Sequence, residues 1–201
     1  MPIGTVIFLN GTSSSGKTST SLELQKILDE PYLHISVDKF LYMLPVDYLN
    51  GDKPADATKE AMLKVIKGMH HALPALVATG NNIIVDHVLE ERQWLEECVM
   101  LLADYKVLFI SVICSLEVLQ RREKERGDRN IGLANYQYNR VHTHGIYDLE
   151  INTEFNKTHE CAQQIKKYLH DNPDFNAFKT LRYSALGPRD VIGRGANSAE
   201  K

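Results

Sequence analysis

The sequence has little of several features that mark particular protein classes. It contains only three cysteines, and their odd number and lack of CxxC spacing argue against a disulfide framework or a zinc site. Its net charge of −3 provides no general basic field for a nucleic acid. No apolar run approaches the roughly 18 to 20 residues of a membrane span, and no basic segment with a long apolar run opens the chain. We therefore expect a cytoplasmic protein with reduced thiols, and neither a nucleic acid nor a membrane as a partner.

The apolar residues that are present alternate between short continuous runs and longer helical patterns. Continuous apolar runs are typical of strands that are buried on both faces of a parallel sheet. Such runs cover Thr5–Leu9, Leu33–Val37, Asn82–Val85 and Lys106–Cys114. Patterns with helical spacing cover Lys17–Leu28, Thr58–Leu76, Glu90–Leu102 and Ser115–Arg126.

Two further segments, Leu149–Asn152 and Lys157–Leu169, predict a last strand and a closing helix. This alternation predicts an α/β fold, in which right-handed crossovers place helices on both faces of a mostly parallel central sheet. Between the second strand and the next helix, Tyr42–Ala57 contains two prolines, a glycine and three aspartates. We expect a loop or a short irregular helix there, at a place where active-site insertions commonly lie.

The first strand is followed by a stretch that fits the Walker A pattern, GxxxxGK followed by Ser or Thr. Its residues are Gly11, Thr12, Ser13, Ser14, Ser15, Gly16, Lys17 and Thr18. The glycines allow consecutive N–H groups to point into one concavity, and the next helix adds its positive dipole end. We expect Lys17 to reach the β- and γ-phosphates, and the Thr18 hydroxyl to ligate Mg²⁺. A Gly/Ser-rich turn without a ligand is the alternative, but the flanking strand and helix favour a nucleoside triphosphate site.

The rest of the sequence narrows the class of P-loop protein. GTPases read guanine with an NKxD motif, and the only Asn-Lys pair here, Asn156-Lys157, lacks the aspartate. AAA-type ATPases need a larger domain than 201 residues provide. These observations favour a compact kinase with ATP as co-substrate and a small hydroxyl-bearing molecule as acceptor. The sequence leaves GTP open as an alternative donor.

Asp38 follows the second predicted strand. The carboxyl ends of strands face the ligand crevice in sheets of this kind. A carboxylate there can take the proton of an acceptor hydroxyl as the hydroxyl attacks phosphorus. The alternative is that Asp38 is the N-cap of a helix that begins at Lys39, and both roles can hold at once.

Asp86 follows the third predicted strand in the same way. It could bind Mg²⁺ through water, as a Walker B carboxylate does. It could instead contact the acceptor, or cap the following helix. The pattern of one aspartate after an apolar run does not choose among these three roles.

An arginine-rich segment follows the fourth predicted strand and its helix. Gly127 breaks this helix, and Arg126 and Arg129 flank the break. Mobile arginines here can neutralise the transferring phosphoryl group and exclude water when they fold over it. A solvated, salt-bridged helix end is the alternative for a charged run. The position after a strand and its helix favours a lid over about residues 121–134.

With these parts in place, the chain resembles chloramphenicol phosphotransferase and its relatives, P-loop kinases that move the γ-phosphate of ATP to a hydroxyl of the antibiotic. The resemblance rests on VIFLNGTSSSGKTS, HISVDKF, NIIVDHV and RGDR, and spans about residues 3–170. The Walker A piece occurs in many families. A more specific set combines RGDR with Gln137, Val141-His142, Tyr147-Asp148 and Asn152-Thr153.

The resemblance implies a three-layer P-loop kinase fold with an arginine-containing lid. It implies that Asp38 is the general base and that Arg126 and Arg129 belong to the lid, with Arg122 a further candidate on that segment. It also supports the roles given above to Lys17 and Thr18. In the family, the segment around Gln137 to His142 forms a helix under the lid. His142 is then either a site residue or a packed histidine, and its apolar neighbours favour packing.

The chain departs from the relatives at three places. His87 follows Asp86 where the relatives have a second acid. Tyr42–Ala57, whose counterpart in the relatives lines the acceptor pocket, is this chain's own. Nothing beyond about residue 172 matches, and the end of the chain is polar and glycine-containing. We therefore predict a kinase domain over residues 1–172 and a partly mobile C-terminal extension over residues 173–201.

Three functions remain compatible with the sequence. The first is an O-phosphotransferase acting on chloramphenicol, a related antibiotic or another small hydroxyl-bearing molecule. The second is a kinase of a nucleoside, a shikimate-like compound or an amino-sugar nucleotide on the same scaffold. The third is a nucleotide-binding regulatory protein with weak ATPase activity. The oligomeric state is left open.

Overall fold

Five parallel strands form the central sheet in the computed structural model, which describes residues 3–127, 131–143 and 145–186, with the backbone alone at 185 and 186. The strands are β1 (Thr5–Asn10), β2 (Tyr32–Ser36), β3 (Asn82–His87), β4 (Lys106–Ile113) and β5 (Leu149–Asn152). Their order is β2-β3-β1-β4-β5, and every neighbouring pair is parallel. The predicted parallel sheet is therefore confirmed.

Helices connect the strands and cover the sheet. They are α1 (Lys17–Ile27), α2 (Val37–Leu41), α3 (Val46–Leu49), α4 (Ala55–Ala78), α5 (Arg92–Leu102), α6 (Leu116–Arg126), α7 (Leu133–Tyr138), α8 (Thr158–Asp171) and α9 (Ala177–Leu186). Residues 42–57 contain the one-turn helix α3 and the start of α4, in agreement with the predicted short irregular helix. Within the described ranges, no helix combines the length and the apolar character that crossing a membrane would require.

The side chains of β1 alternate between two apolar layers, one on each face of the sheet. Val6 and Phe8 pack into a layer with residues of α4, α5 and α9, and Ile7 and Leu9 pack into a layer with residues of α1 and α8. All four side chains are fully buried. Because helices cover both faces, both sets of side chains must be apolar, which explains the continuous run in the sequence.

Helix α9 lies beyond the predicted domain boundary at residue 172 but belongs to the core. The Phe178 ring packs against Phe8 and Phe109, with ring centroids 5.6 and 5.0 Å away. Asp148 Oδ1 accepts the N–H groups of Asn176 and Ala177 at 2.8 and 3.0 Å, just before and at the start of α9. The boundary at 172 is therefore wrong, because this helix completes one apolar layer of the sheet. The rest of the predicted mobile extension, residues 187–201, lies outside the described residues.

Phe178→Ala is expected to lower the free energy of unfolding by about 3 to 5 kcal/mol, because truncation leaves a cavity between two other buried rings. Chemical denaturation followed by circular dichroism measures this change. Tyr183→Ala on the same helix is the matched control, since Tyr183 is 66% exposed and should change stability by less than about 0.5 kcal/mol. Equal effects of the two substitutions would contradict the assignment of α9 to the core.

Candidate active site

The Walker A stretch forms a tight turn between the end of β1 and the start of α1. At Gly11 a Cβ atom would lie 2.5 Å from the Val112 carbonyl oxygen, so no side chain fits there. Gly16 has φ +92° and Ser14 has φ +62°, which place both in the left-handed region. Helix α1 then begins at Lys17. The backbone thus turns as an anion nest requires, next to the positive end of a helix.

Lys17, Thr18 and Asp86 meet at the carboxyl ends of two neighbouring strands. Leu9 of β1 pairs with Asp86 of β3, so the acid lies beside the loop that leaves β1. The Thr18 hydroxyl donates a hydrogen bond to Asp86 Oδ2 at 2.6 Å. Lys17 Nζ donates to the Thr12 carbonyl at 2.8 Å and lies 3.9 Å from Asp86 Oδ1. The structure therefore brings the predicted lysine, hydroxyl and acid together.

Asp86 is buried, and its neighbours favour the ionised carboxylate. Burial alone would raise its pKa, but the nearby His34 ring, the Lys17 charge and the Thr18 hydroxyl lower the pKa below its usual range. His34 Nε2 lies 3.6 Å from Asp86 Oδ2. The predicted alternative that Asp86 caps the following helix is wrong, because α5 begins only at Arg92.

Thr18 and Asp86 fit a magnesium ion chemically. A hydroxyl and a carboxylate are hard oxygen ligands, which suit Mg²⁺ better than a softer metal. Among the residues that the structure describes, no group of three or more His, Cys, Asp or Glu side chains could hold a metal by itself. Such a pair of ligands suits an ion that takes its remaining oxygens from water and from nucleotide phosphates.

Asp38 lines the same cavity, of about 640 Å³, as the Walker A residues and Asp86. It lies in the first turn of α2, directly after β2, and is half-buried. The predicted N-cap role for Asp38 is wrong, because Ser36 is the N-cap and its hydroxyl accepts the N–H of Lys39 at 3.3 Å. The carboxylate is therefore not engaged as a helix cap.

The cavity has two chemically different parts. Lys17, Arg122 and Arg126 line the part next to the phosphate loop. The part formed by α2, α4, α5 and the end of β3 is lined largely by apolar side chains, namely Val37, Leu41, Met62, Ile66, Val88 and Trp94. None of the described residues that line this second part is Lys or Arg. We refer to it below as the acceptor wall.

The arginines of the predicted lid segment have different positions. Arg126 is exposed and lines the cavity, whereas Arg129 lies outside the described residues. Arg122 instead supports the phosphate loop: it donates to the Thr153 hydroxyl at 3.0 Å and to the Thr153 carbonyl at 2.7 Å. The Thr153 hydroxyl in turn donates to the Ser15 carbonyl at 2.7 Å. The roles of Arg126 and Arg129 in a lid stay predictions.

His87 lies at the end of β3 and is the first of three polar side chains that contact one another in series. Its Nε2 lies 2.8 Å from His70 Nε2, and His70 Nδ1 lies 2.6 Å from Glu97 Oε2. Burial, with a smaller contribution from His70, lowers the pKa of His87 to about 3. His87 is therefore neutral at physiological pH and does not supply the negative charge that a second acid at this position would supply. Sequence reasoning missed His70 and Glu97, which no local pattern links to His87.

His142 is held within the protein rather than in the cavity. Its Nδ1 lies 3.1 Å from the Tyr147 hydroxyl and 3.3 Å from the Ser111 hydroxyl. Burial lowers its pKa, with a further contribution from the Lys17 charge. His142 is not among the described residues that line the cavity, which supports the packing interpretation.

Two polar residues near the phosphate loop, Asn10 and Gln137, were given no individual role from the sequence. Asn10 Oδ1 accepts the Leu89 N–H at 2.9 Å, and Asn10 Nδ2 donates to the Val141 carbonyl at 3.1 Å. Gln137 Oε1 accepts the N–H of Ser13 at 2.7 Å. The position of Asn10, directly before Gly11, is the one local signal that could have identified it.

Comparison with known proteins places this site in a family. The model of the family described as chloramphenicol phosphotransferase-like protein matches residues 4–170. Proteins from two strains of Mycobacterium tuberculosis, which carry the provisional name of O-phosphotransferase, are 32% identical over 201 residues, covering 90% of this chain and 89% of their own length.

Solved structures with a similar fold include small-molecule kinases. The Mycobacterium tuberculosis APS kinase in complex with AMPPNP and APS has a TM-score of 0.64 at 17% identity, covering 85% of this chain and 99% of that chain. A gluconokinase from Sinorhizobium meliloti has a TM-score of 0.59 at 15% identity, covering 84% and 92%. At these identities the likeness shows the fold, which is that of P-loop kinases.

His87→Gln is expected to flatten the pH dependence of the unfolding free energy between about pH 3 and 6.5. The unfolded chain binds a proton at His87 below about pH 6.5, while the folded chain resists it down to about pH 3, so this stabilising contribution is lost as the pH falls through that window. The lost slope is at most about 1.4 kcal/mol per pH unit. Denaturant unfolding of both proteins at several pH values measures it, and parallel curves would contradict the burial effect.

Proposed function

We propose a specific reaction for this chain, which belongs to the chloramphenicol phosphotransferase-like family and is an O-phosphotransferase with a P-loop kinase fold. The proposed reaction moves the γ-phosphate of ATP to a hydroxyl of a small, largely apolar molecule, such as chloramphenicol or a related antibiotic. One observation carries the proposal: the Walker A loop, Asp86 and Asp38 line one cavity. We further propose that the enzyme acts in the cytoplasm, where ATP is available and where its three free thiols stay reduced.

The phosphate loop would hold the triphosphate through its backbone N–H groups and Lys17. Lys17 Nζ, which donates to the Thr12 carbonyl within the same loop, would exchange this bond for one to the phosphates. Thr18 and Asp86 would hold Mg²⁺, which neutralises phosphate charge when bound. Arg122 and Thr153, through their hydrogen bonds to each other, would stabilise the conformation of the loop.

Asp38 would act as the general base. In the proposed reaction the acceptor O–H proton moves to the Asp38 carboxylate as the oxygen forms its bond to the γ-phosphorus, and the bond to the ADP oxygen breaks. Lys17 would stabilise charge on the transferring group, and Arg126, which lines the cavity, would add a second positive charge.

The acceptor wall supports an uncharged acceptor. Its apolar side chains can bury an aromatic or aliphatic body, with Trp94 as the largest of them. The absence of Lys and Arg among its described residues gives an acidic group nothing to pair with. This favours a neutral antibiotic or metabolite over the anionic members of the competing acceptor set, a shikimate-like compound or an amino-sugar nucleotide.

Incubation with Mg-ATP and a panel of hydroxylated antibiotics and metabolites, analysed by mass spectrometry, tests the acceptor. An added phosphate on chloramphenicol would support the narrow proposal and a resistance role. An added phosphate on a different neutral compound would support the proposed reaction and identify a different acceptor. ATP hydrolysis without any phosphorylated product would favour the regulatory alternative.

Asp38→Asn is expected to lower kcat for phosphoryl transfer by about 10² to 10⁴-fold, because the amide cannot accept the hydroxyl proton. ATP binding, measured by calorimetry, should stay close to that of the wild type, since Asp38 is not part of the phosphate loop. Asp174→Asn, at an exposed residue between α8 and α9 that does not line the cavity, is the matched control with wild-type kcat. Full transfer activity of Asp38→Asn would remove Asp38 from the reaction.

A further inference from the structure

The connection between β3 and α5, residues 88–91, is bonded at three consecutive residues. The Leu89 N–H donates to Asn10 Oδ1 at 2.9 Å. Glu90 Oε1 accepts from Gln137 Nε2 at 2.5 Å, and Glu91 Oε1 accepts from Arg140 Nη2. Val88 and Glu90 of this connection line the cavity on the side of the acceptor wall. Two of the three bonds therefore join the acceptor side to α7 and the residues directly after it.

Gln137 is bonded to the phosphate loop as well. Its Oε1 accepts the Ser13 N–H at 2.7 Å, and the residue is only 4% exposed. Because a backbone N–H can only donate, this bond determines the orientation of the amide: the oxygen faces Ser13 and the NH₂ group faces Glu90. One buried side chain thus spans the distance from the Walker A loop to the acceptor side of the cavity.

The other two bonds of residues 88–91 differ from the Gln137 bond. The Arg140–Glu91 pair is solvated, with side chains 37% and 51% exposed, and such pairs contribute little. Asn10 lies within the backbone segment that leads into the loop and bonds Leu89 directly, without involving α7 side chains. Loss of Gln137 would leave the buried Ser13 N–H without its partner and would release Glu90.

We propose that Gln137 is a positioning residue that sets the distance between the phosphate donor and the acceptor wall. This inference rests on the phosphoryl transfer proposed above. Transfer requires the acceptor oxygen and the γ-phosphorus at a near-attack separation, and a displacement of about 1 Å can cost roughly 100-fold in rate. Gln137 acts through Ser13 on the donor side and through Glu90 on the acceptor side.

Two substitutions separate the two bonds of Gln137. Gln137→Met removes both bonds at similar volume, whereas Gln137→Glu keeps an acceptor for the Ser13 N–H and loses the donor to Glu90. Both should lower kcat for transfer by about 10- to 100-fold, while KM for ATP changes by less than about threefold. A larger share of the consumed ATP should be hydrolysed without transfer, which a loss of folded protein would not produce. Gln163→Met, at an exposed residue of α8, is the control with wild-type values.

A second measurement does not depend on knowing the acceptor. Trp94, the only tryptophan of the chain, lies in the first turn of α5 and lines the cavity next to the connection. Acrylamide quenching of its fluorescence in the ligand-free enzyme should increase in both Gln137 variants and not in Gln163→Met, because the released connection exposes the ring.

The outcomes separate this inference from the proposed function. Unchanged quenching in the Gln137 variants overturns the inference even when the wild type transfers phosphate. Increased quenching with unchanged kcat and unchanged hydrolysis overturns the positioning role. A wild type that phosphorylates no acceptor counts against the proposed function, and the quenching result then still decides whether Gln137 holds the acceptor side in place.

Discussion

The parallel pairing of β1 with β3 is the constraint on which the candidate site depends. It places Leu9 opposite Asp86, so the loop that leaves β1 and the acid that ends β3 lie side by side. The hydrogen bond from Thr18 to Asp86 follows directly from this register. Because β2 pairs with β3 on its other side, Asp38 reaches the same edge of the sheet. The three functional groups thus come together because parallel strands end at a common edge.

A set of polar contacts, most of them partly buried, explains why the downstream part of the chain matters. Asp148 joins the backbone of β4 to the start of α9, and Thr153 with Arg122 supports the loop from the β5 side. Asn10 and Gln137 join the loop to the acceptor side. Asp148, Thr153 and Gln137 belong to the set of residues on which the resemblance in the sequence rests. Their contacts are structural, which accounts for their presence without a direct role for each in the reaction.

Much of the site could be predicted because its signals are local. The Walker A residues are contiguous, and Asp38 and Asp86 each follow an apolar run that defines a buried strand. Other features could not be predicted. The N-cap of α2 is Ser36 rather than Asp38, since strand β2 ends earlier than its apolar run suggests. The side chains of His87, His70 and Glu97 contact one another in series and join three elements, and these contacts leave no periodic pattern in the sequence.

The sequence by itself was sufficient to predict the parallel α/β fold, the phosphate loop and the positions of the two acids. The spacing of apolar residues, the glycines of the loop and the ends of the strands are all properties of residues that are close together in the sequence. Tertiary packing decided the rest. It placed α9 in the core, turned Arg122 toward the loop, and kept His87 uncharged. These outcomes depend on groups far apart in the chain, whose distances and burial exist only after the sheet and its helices have assembled.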